Sequence, residues 1–228
     1  MPKLSIIVPV YNEIATIEKV LVEIKNADTL NFEKEIIVVD DNSTDGTKQA
    51  LKETEDGQKK IIFSDKNEGK GAVIKRGLVI ATGDYILIQD ADLEYTPKNY
   101  PKLLKPILEK ETEVIFGSRF LQKNKRNYFY AFGNIIATRI FNLIFKTNLT
   151  DLATCYKIFP KKLIPRLLEI KENDFVFDVI QLTATIIKNG YTIKEIPIDY
   201  FPRWHREGKK LKLKHGFKIF FSLFKIAF

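Results

Sequence analysis

The chain has 228 residues, is 45% hydrophobic, and sets 37 Lys and Arg against 29 Asp and Glu for a net charge of +8. That is room for one sizeable domain, or one domain with an appended tail, and two full domains would be cramped. With Cys155 as the only cysteine, an intrachain disulfide is excluded and a reducing, cytoplasmic setting is compatible.

The first apolar run is broken by Pro9, Asn12 and Glu13, so it reads as a strand over residues 4–10 rather than a signal peptide. A helix is expected near 15–25, a strand over 35–40, a helix near 46–53, a strand over 60–64, a helix near 70–81 and a strand over 84–89. This alternation predicts an α/β fold with a mostly parallel central sheet and helices on both faces. Such sheets bind ligands beyond the carboxyl ends of their strands. Polar residues gather there, at 11–13, 40–45, 65–71 and 90–94.

A further strand is expected near 114–118. The stretch 127–145 is apolar with scattered polar residues, and Arg139 and Lys146 keep this region short of the roughly 18 to 20 uncharged residues of a spanning helix. The run 155–159, a helical stretch near 177–188 and the run 192–200 after the Gly190 stop complete the body. No repeat or low-complexity linker interrupts it, so residues 1–202 read as one domain.

Residues 203–228 differ in charge. Eight basic residues and one acid give this end +7, which leaves +1 for the body. Lysines alternate with Phe217, Phe220, Phe221, Phe224 and Phe228, and Lys218, Ser222 and Lys225 share a stripe at helical spacing. The pattern predicts a basic amphipathic segment that lies on an anionic membrane surface. The competing expectation is a helix packed on the body with its lysines solvated. A nucleic-acid partner is set aside, because the phenylalanines are arranged for an apolar surface.

The sharpest local signal is Asp90-Ala91-Asp92, directly after the strand over 84–89. Two carboxylates one residue apart at a strand end can hold Mg2+ or Mn2+ and leave coordination sites for phosphate oxygens. Glu94 is a candidate third oxygen. Asp40 and Asp41 end the second strand, where carboxylates accept hydrogen bonds from a ribose or a base edge, and Ser43, Thr44 and Asp45 suit helix capping. Gly69 and Gly71 flank Lys70 at the start of a helix, which could set backbone N–H groups and an ammonium near phosphate. The absence of G-x-x-x-x-G-K-[ST] and G-x-G-x-x-G argues against a P-loop NTPase and a dinucleotide-dependent dehydrogenase.

In order along the chain stand PVYNE at 9–13, DDNSTDGT at 40–47, NEGKGAVIKRG at 67–77 and the D-x-D at 90–92. Together they resemble the nucleotide-sugar half of a family 2 glycosyltransferase of the GT-A fold, a Rossmann-like sandwich. FGSRF at 116–120, LTDLATCYKIF at 149–159, FVFD at 175–178 and RWHREGKK at 203–210 resemble the second half of dolichyl- and polyprenyl-phosphate mannose synthase-like enzymes.

The resemblance implies an inverting transfer of a hexose from a GDP- or UDP-linked sugar to a polyprenyl phosphate at the cytoplasmic face of a membrane. Pro9, Tyr11, Glu13 and Asp40 would border the nucleoside, and Asp90, Ala91 and Asp92 the metal and diphosphate. Arg119, Arg126, Arg203 and Lys209 would face phosphate, which guanidinium forks match in bidentate fashion. Asp151 is open between general base, orienting group and plain helix cap, because an ionised phosphate acceptor needs little base. Relatives of this kind add membrane helices, so a separate membrane subunit is also an open partner. The competing functions are a transferase acting on a saccharide hydroxyl, with Asp151 as base, and a non-catalytic nucleotide-sugar-binding subunit. Donor base, sugar and prenyl length stay open.

Overall fold

The computed structural model describes residues 1–54, 57, 59–122, 128–203, 218, 219 and 221–223, with the backbone alone for 128–130. In chain order the elements are β1 (Lys3–Val10), α1 (Ile17–Asn26), β2 (Glu33–Asp40), α2 (Thr47–Glu53), β3 (Lys59–Phe63), α3 (Lys70–Ile80) and β4 (Tyr85–Ile88). They continue as α4 (Tyr100–Leu108), β5 (Ile115–Ser118), α5 (Tyr128–Phe145), β6 (Lys157–Pro160), α6 (Ile164–Leu168), α7 (Leu182–Lys188) and β7 (Lys194–Pro197).

The strands form one seven-stranded sheet in the order β3-β2-β1-β4-β6-β5-β7. β6 runs antiparallel to both neighbours, and the other pairings are parallel. The α/β reading with a mostly parallel sheet therefore holds. Because β1 lies between β2 and β4, the order reverses direction beside it, and in open α/β sheets such a switch point is where the ligand crevice lies, here at the carboxyl ends of β1 and β4.

Leu4, Ile6, Ile7 and Val8 on β1 are fully buried, as a strand covered on both faces requires. On α1, Ile17, Val20, Leu21 and Ile24 recur at helical spacing and turn one face into the same core. A side chain on Gly77 of α3 would stand 2.6 Å from Ile7 Cγ2, so glycine lets this helix lie close on β1. A second apolar cluster joins α5 to α7 through Phe141, Val179, Ile180 and Ala184. Leu223 from the tail is buried in that cluster, and Lys218 pairs with Asp174, while Phe221 stays 73% exposed.

At the opposite end from the crevice, buried Glu35 accepts hydrogen bonds from Ser5 Oγ, from Lys60 Nζ at 2.7 Å, and from Thr82 N and Oγ1 at 2.9 and 2.7 Å. Burial opposes ionisation, but the bonds from Lys60, Ser5 and Thr82 outweigh it and hold the carboxyl at about 2. A depressed carboxyl stabilises the fold above its ordinary value of 4.5 and loses that contribution as pH falls from there toward 2. Glu35→Gln should cost about 1–3 kcal/mol near pH 7 and less at pH 3, read from urea midpoints at the two pH values.

Candidate active site

The loops that follow β1, β2 and β4 meet at the crevice and are laced together. Asn12 N donates to Ser43 Oγ at 2.8 Å, Thr44 N to Asn12 Oδ1 at 2.8 Å, and Glu13 N to Thr47 Oγ1 at 2.9 Å. Asp45 receives Thr47 N at 3.0 Å at the start of α2, as capping chemistry predicts. Thr16 Oγ1 donates to the Ala91 carbonyl at 2.7 Å and ties the β1 loop to the β4 loop. Asn12 and Leu93 hold left-handed backbone, with φ of 51° and 61°. For leucine that conformation is strained, and such strain collects at functional sites.

Asp40 is fully buried. Its Oδ2 accepts Ser43 N at 3.0 Å, and its Oδ1 is buried with no hydrogen-bond partner among the described residues. A buried carboxylate oxygen without a donor is costly, so the site is short of one donor here. Asp41 faces the other way, where its two oxygens accept Glu68 N and Gly69 N, each at 2.9 Å, and fix the loop before α3. Pro9 lies in β1 opposite Val39, and Tyr11 is 37% exposed at the mouth.

The acids after β4 come together with partners from distant parts of the chain. Asp90 Oδ1 lies 2.8 Å from Lys70 Nζ. Arg203 forks onto Glu13 at 2.9 and 3.1 Å and reaches Asp92 Oδ2 at 3.3 Å. Burial, together with the charges of Asp90 and Glu94, pushes the Asp92 carboxyl up to about 7. That excess of negative charge is what a divalent cation relieves, and the donors are hard oxygens of the type that Mg2+ and Mn2+ prefer.

Glu94, whose charge acts on Asp92, has further partners of its own. It accepts Tyr200 OH at 2.7 Å and Arg203 N at 2.8 Å, so it anchors the strand-like segment 199–203 across the site. Among the described residues, no group of three or more His, Cys, Asp or Glu side chains is placed to hold a metal.

On the far side of the crevice, Asp151 is fully buried and receives Arg119 through Nε and Nη2, both at 2.7 Å, and through the Arg119 backbone N at 3.0 Å. Asn134 Nδ2 on α5 adds a bond at 2.7 Å. Burial opposes its ionisation, yet the Arg119 charge and these bonds hold the Asp151 carboxyl below the usual range. Arg119 is flanked by Tyr95 and Tyr200, whose ring centres lie 5.8 and 5.2 Å from its guanidinium carbon. Glu195 accepts Thr150 N at 2.7 Å and Asp151 N at 3.0 Å and holds the loop that carries Asp151. Arg126 and Lys209 lie outside the described residues, as does most of the basic tail.

Sequence reasoning passes over Tyr200, Asn134 and Glu195, and it gives no role to Lys157 and Asp178, although both stand in the quoted motifs. Lys157 has a readable signal: a lysine in an apolar strand bounded by Tyr156 and Ile158 needs a buried anion. The start of α3 is tied to a distant segment. Ala72 N donates to the Asn173 carbonyl at 2.7 Å, which joins the first turn of α3 to the segment before residue 174.

A family model described as glycosyl transferase family 2 matches residues 5–168. Over 125 residues the chain is 36% identical to the dolichol-phosphate mannosyltransferase of Pyrococcus furiosus, across 54% of this chain and 35% of that protein. Over 106 residues it is 36% identical to the undecaprenyl-phosphate 4-deoxy-4-formamido-L-arabinose transferase of Proteus mirabilis, across 45% and 32%. The matched part thus spans about a third of these relatives. Glucosyl-3-phosphoglycerate synthase from Mycobacterium tuberculosis, solved with Mn2+, UDP-glucose and phosphoglyceric acid, superposes with a TM-score of 0.75 at 16% identity, over 99% of this chain and 80% of that one. TarS 1-349 from S. aureus, solved with UDP-GlcNAc, gives 0.62 at 20% identity, over 97% and 65%. These likenesses show the GT-A fold. Taken with the match over residues 5–168, they make the chain a member of glycosyl transferase family 2.

Proposed function

We propose that this chain transfers a hexosyl group, with inversion, from a nucleoside-diphosphate sugar to a polyprenyl phosphate at a membrane surface. The observation that carries the donor half is the pair Asp90 and Asp92 at the crevice beside β1, with Asp92 pushed up to about 7 by burial and by neighbouring carboxylates. Asp90 and Asp92 would hold Mg2+ or Mn2+, which when bound offsets the charge of the donor diphosphate. Pro9, Tyr11 and Asp40 would border the nucleoside, and the unpartnered Asp40 Oδ1 would accept a hydrogen bond from the donor. Glu94 would serve by holding Tyr200 and Arg203 in place. Arg119 and Arg203 would face the acceptor phosphate, with Asp151 orienting Arg119.

A lipid acceptor is favoured by α5. Phe132, Ile136 and Leu143 are exposed at helical spacing with Arg139 on the same face, and Lys146 follows the helix end, an apolar stripe with basic residues that suits an anionic interface. Asn134, on the same helix, touches Asp151. Among the described residues no helix is long and apolar enough to cross a membrane. The proposed attachment is contact with the membrane surface, with or without a membrane subunit.

The deciding experiment supplies GDP-mannose or UDP-glucose with Mn2+ to the full chain and offers two acceptors, polyprenyl phosphate in anionic liposomes and a soluble oligosaccharide. Sugar is expected in the lipid fraction. Transfer to the oligosaccharide without lipid product would favour the hydroxyl-acceptor reading, and donor binding without transfer to either would favour a binding subunit.

A further inference from the structure

Behind the acids lies a chain of charges that the transfer chemistry does not explain. Lys157 on β6 is fully buried, with its ammonium 3.0 Å from Asp178 Oδ1 and 2.6 Å from the Asp178 carbonyl. The other carboxylate oxygen of Asp178 lies 2.8 Å from Lys70, whose ammonium is also 2.8 Å from Asp90 Oδ1. Lys157, Asp178, Lys70 and Asp90 therefore alternate in sign from the core to the first acid of the D-x-D.

Local backbone is shaped around this chain. Asp178 sits in a π-helical turn, Phe177–Gln181, an irregularity frequent at functional sites. A side chain on Gly71, next to Lys70, would stand 2.6 Å from the Asp174 carbonyl, so glycine lets α3 press against the segment that leads to Asp178.

A buried ion pair adds little net stability over an apolar pair of similar volume, so stability is a weak reason for this arrangement. Charge sharing is a stronger one. Paired with Asp90 alone, Lys70 would neutralise it and compete with a divalent cation for its oxygens. Asp178 draws on the same ammonium from the other side, and Asp90 keeps more of its charge for a cation. Lys157 in turn occupies Asp178 and limits how far it pulls Lys70 away.

We propose that Asp178 and Lys157 are positioning residues of the donor site, which set how strongly Lys70 neutralises Asp90 and thereby tune the affinity of Asp90 and Asp92 for the metal. This rests on the donor-site reading above.

The test measures Mn2+ uptake by the full chain with saturating UDP or GDP, from the loss of the free-Mn2+ electron paramagnetic resonance signal. Asp178→Asn should weaken Mn2+ binding by about tenfold, the scale of one altered charge contact in a partly screened site. Lys157→Met should leave it unchanged or tighter. Because Asp178→Asn leaves Lys157 unpaired in the core, the neutral double variant K157M/D178N serves as the folded control and should bind as weakly as Asp178→Asn. A purely structural pair would lower melting temperatures while the folded fraction keeps its Mn2+ affinity, and that result overturns the proposal. Uptake lost in Asp92→Asn but unmoved across the 157 and 178 variants overturns this inference alone. No uptake by the wild type with either nucleotide removes the donor-site reading and this inference with it.

Discussion

Asp92→Asn is expected to lower kcat/KM for sugar transfer by about 10³-fold, the loss of several kcal/mol of metal-assisted charge stabilisation, while raising the melting temperature of the metal-free chain at pH 8. The two effects share one cause. Burial and the carboxylates of Asp90 and Glu94 raise the Asp92 carboxyl from 3.8 to about 7. The folded state therefore holds this proton more tightly than the unfolded chain does. Stability from this residue is full below 3.8 and declines as pH rises toward 7. Asparagine removes that repulsion and keeps the shape, and Arg203 retains its fork on Glu13. Thermal melts at pH 5 and pH 8 should show wild type losing more than the variant between them. Wild-type transfer by Asp92→Asn in saturating Mn2+ would sink the donor-site assignment.

Asp151→Asn is the second large effect. Arg119 donates three hydrogen bonds to this carboxylate, and the Arg119 side chain is only 17% exposed. Breaking a buried pair by removing one charge typically costs about 3–5 kcal/mol, and chemical denaturation would show it. Because the Asp151 carboxyl is held low by Arg119, its stabilisation is present above the ordinary value of 3.8 and lost as pH falls below it. In the orienting role, the kinetic loss appears mainly as a raised KM for the acceptor. A general base would behave otherwise: kcat would fall by about 10²-fold or more with the acceptor KM unchanged.

Much of the architecture is legible because its signals are local. The apolar runs over 4–10 and 35–40 are β1 and β2, and the acids beyond their ends and beyond β4 fall at the crevice as strand-end logic requires. α4 escapes a reading by pattern, since Pro101 and Pro106 interrupt it, although proline at the first turn is compatible with a helix. The stretch 127–145 has no period clear enough to type, and residues 128–145 of it form α5, whose apolar residues serve both a core and an exposed face.

The fold class, the succession of strands and the loops that carry the acids all follow from local sequence. What each acid does follows from long-range packing instead. Asp41 spends its oxygens on the loop before α3, Glu94 on Tyr200 and Arg203, and Arg203 meets Glu13 across 190 residues. Strand and helix periods are written in neighbouring residues, whereas a carboxylate's partner is chosen by the order of strands in the sheet. β6 comes late in the chain yet lies next to β4, which brings Lys157 up behind the acids, while the close packing of α3 on the segment before the π-helical turn brings Asp178 to Lys70.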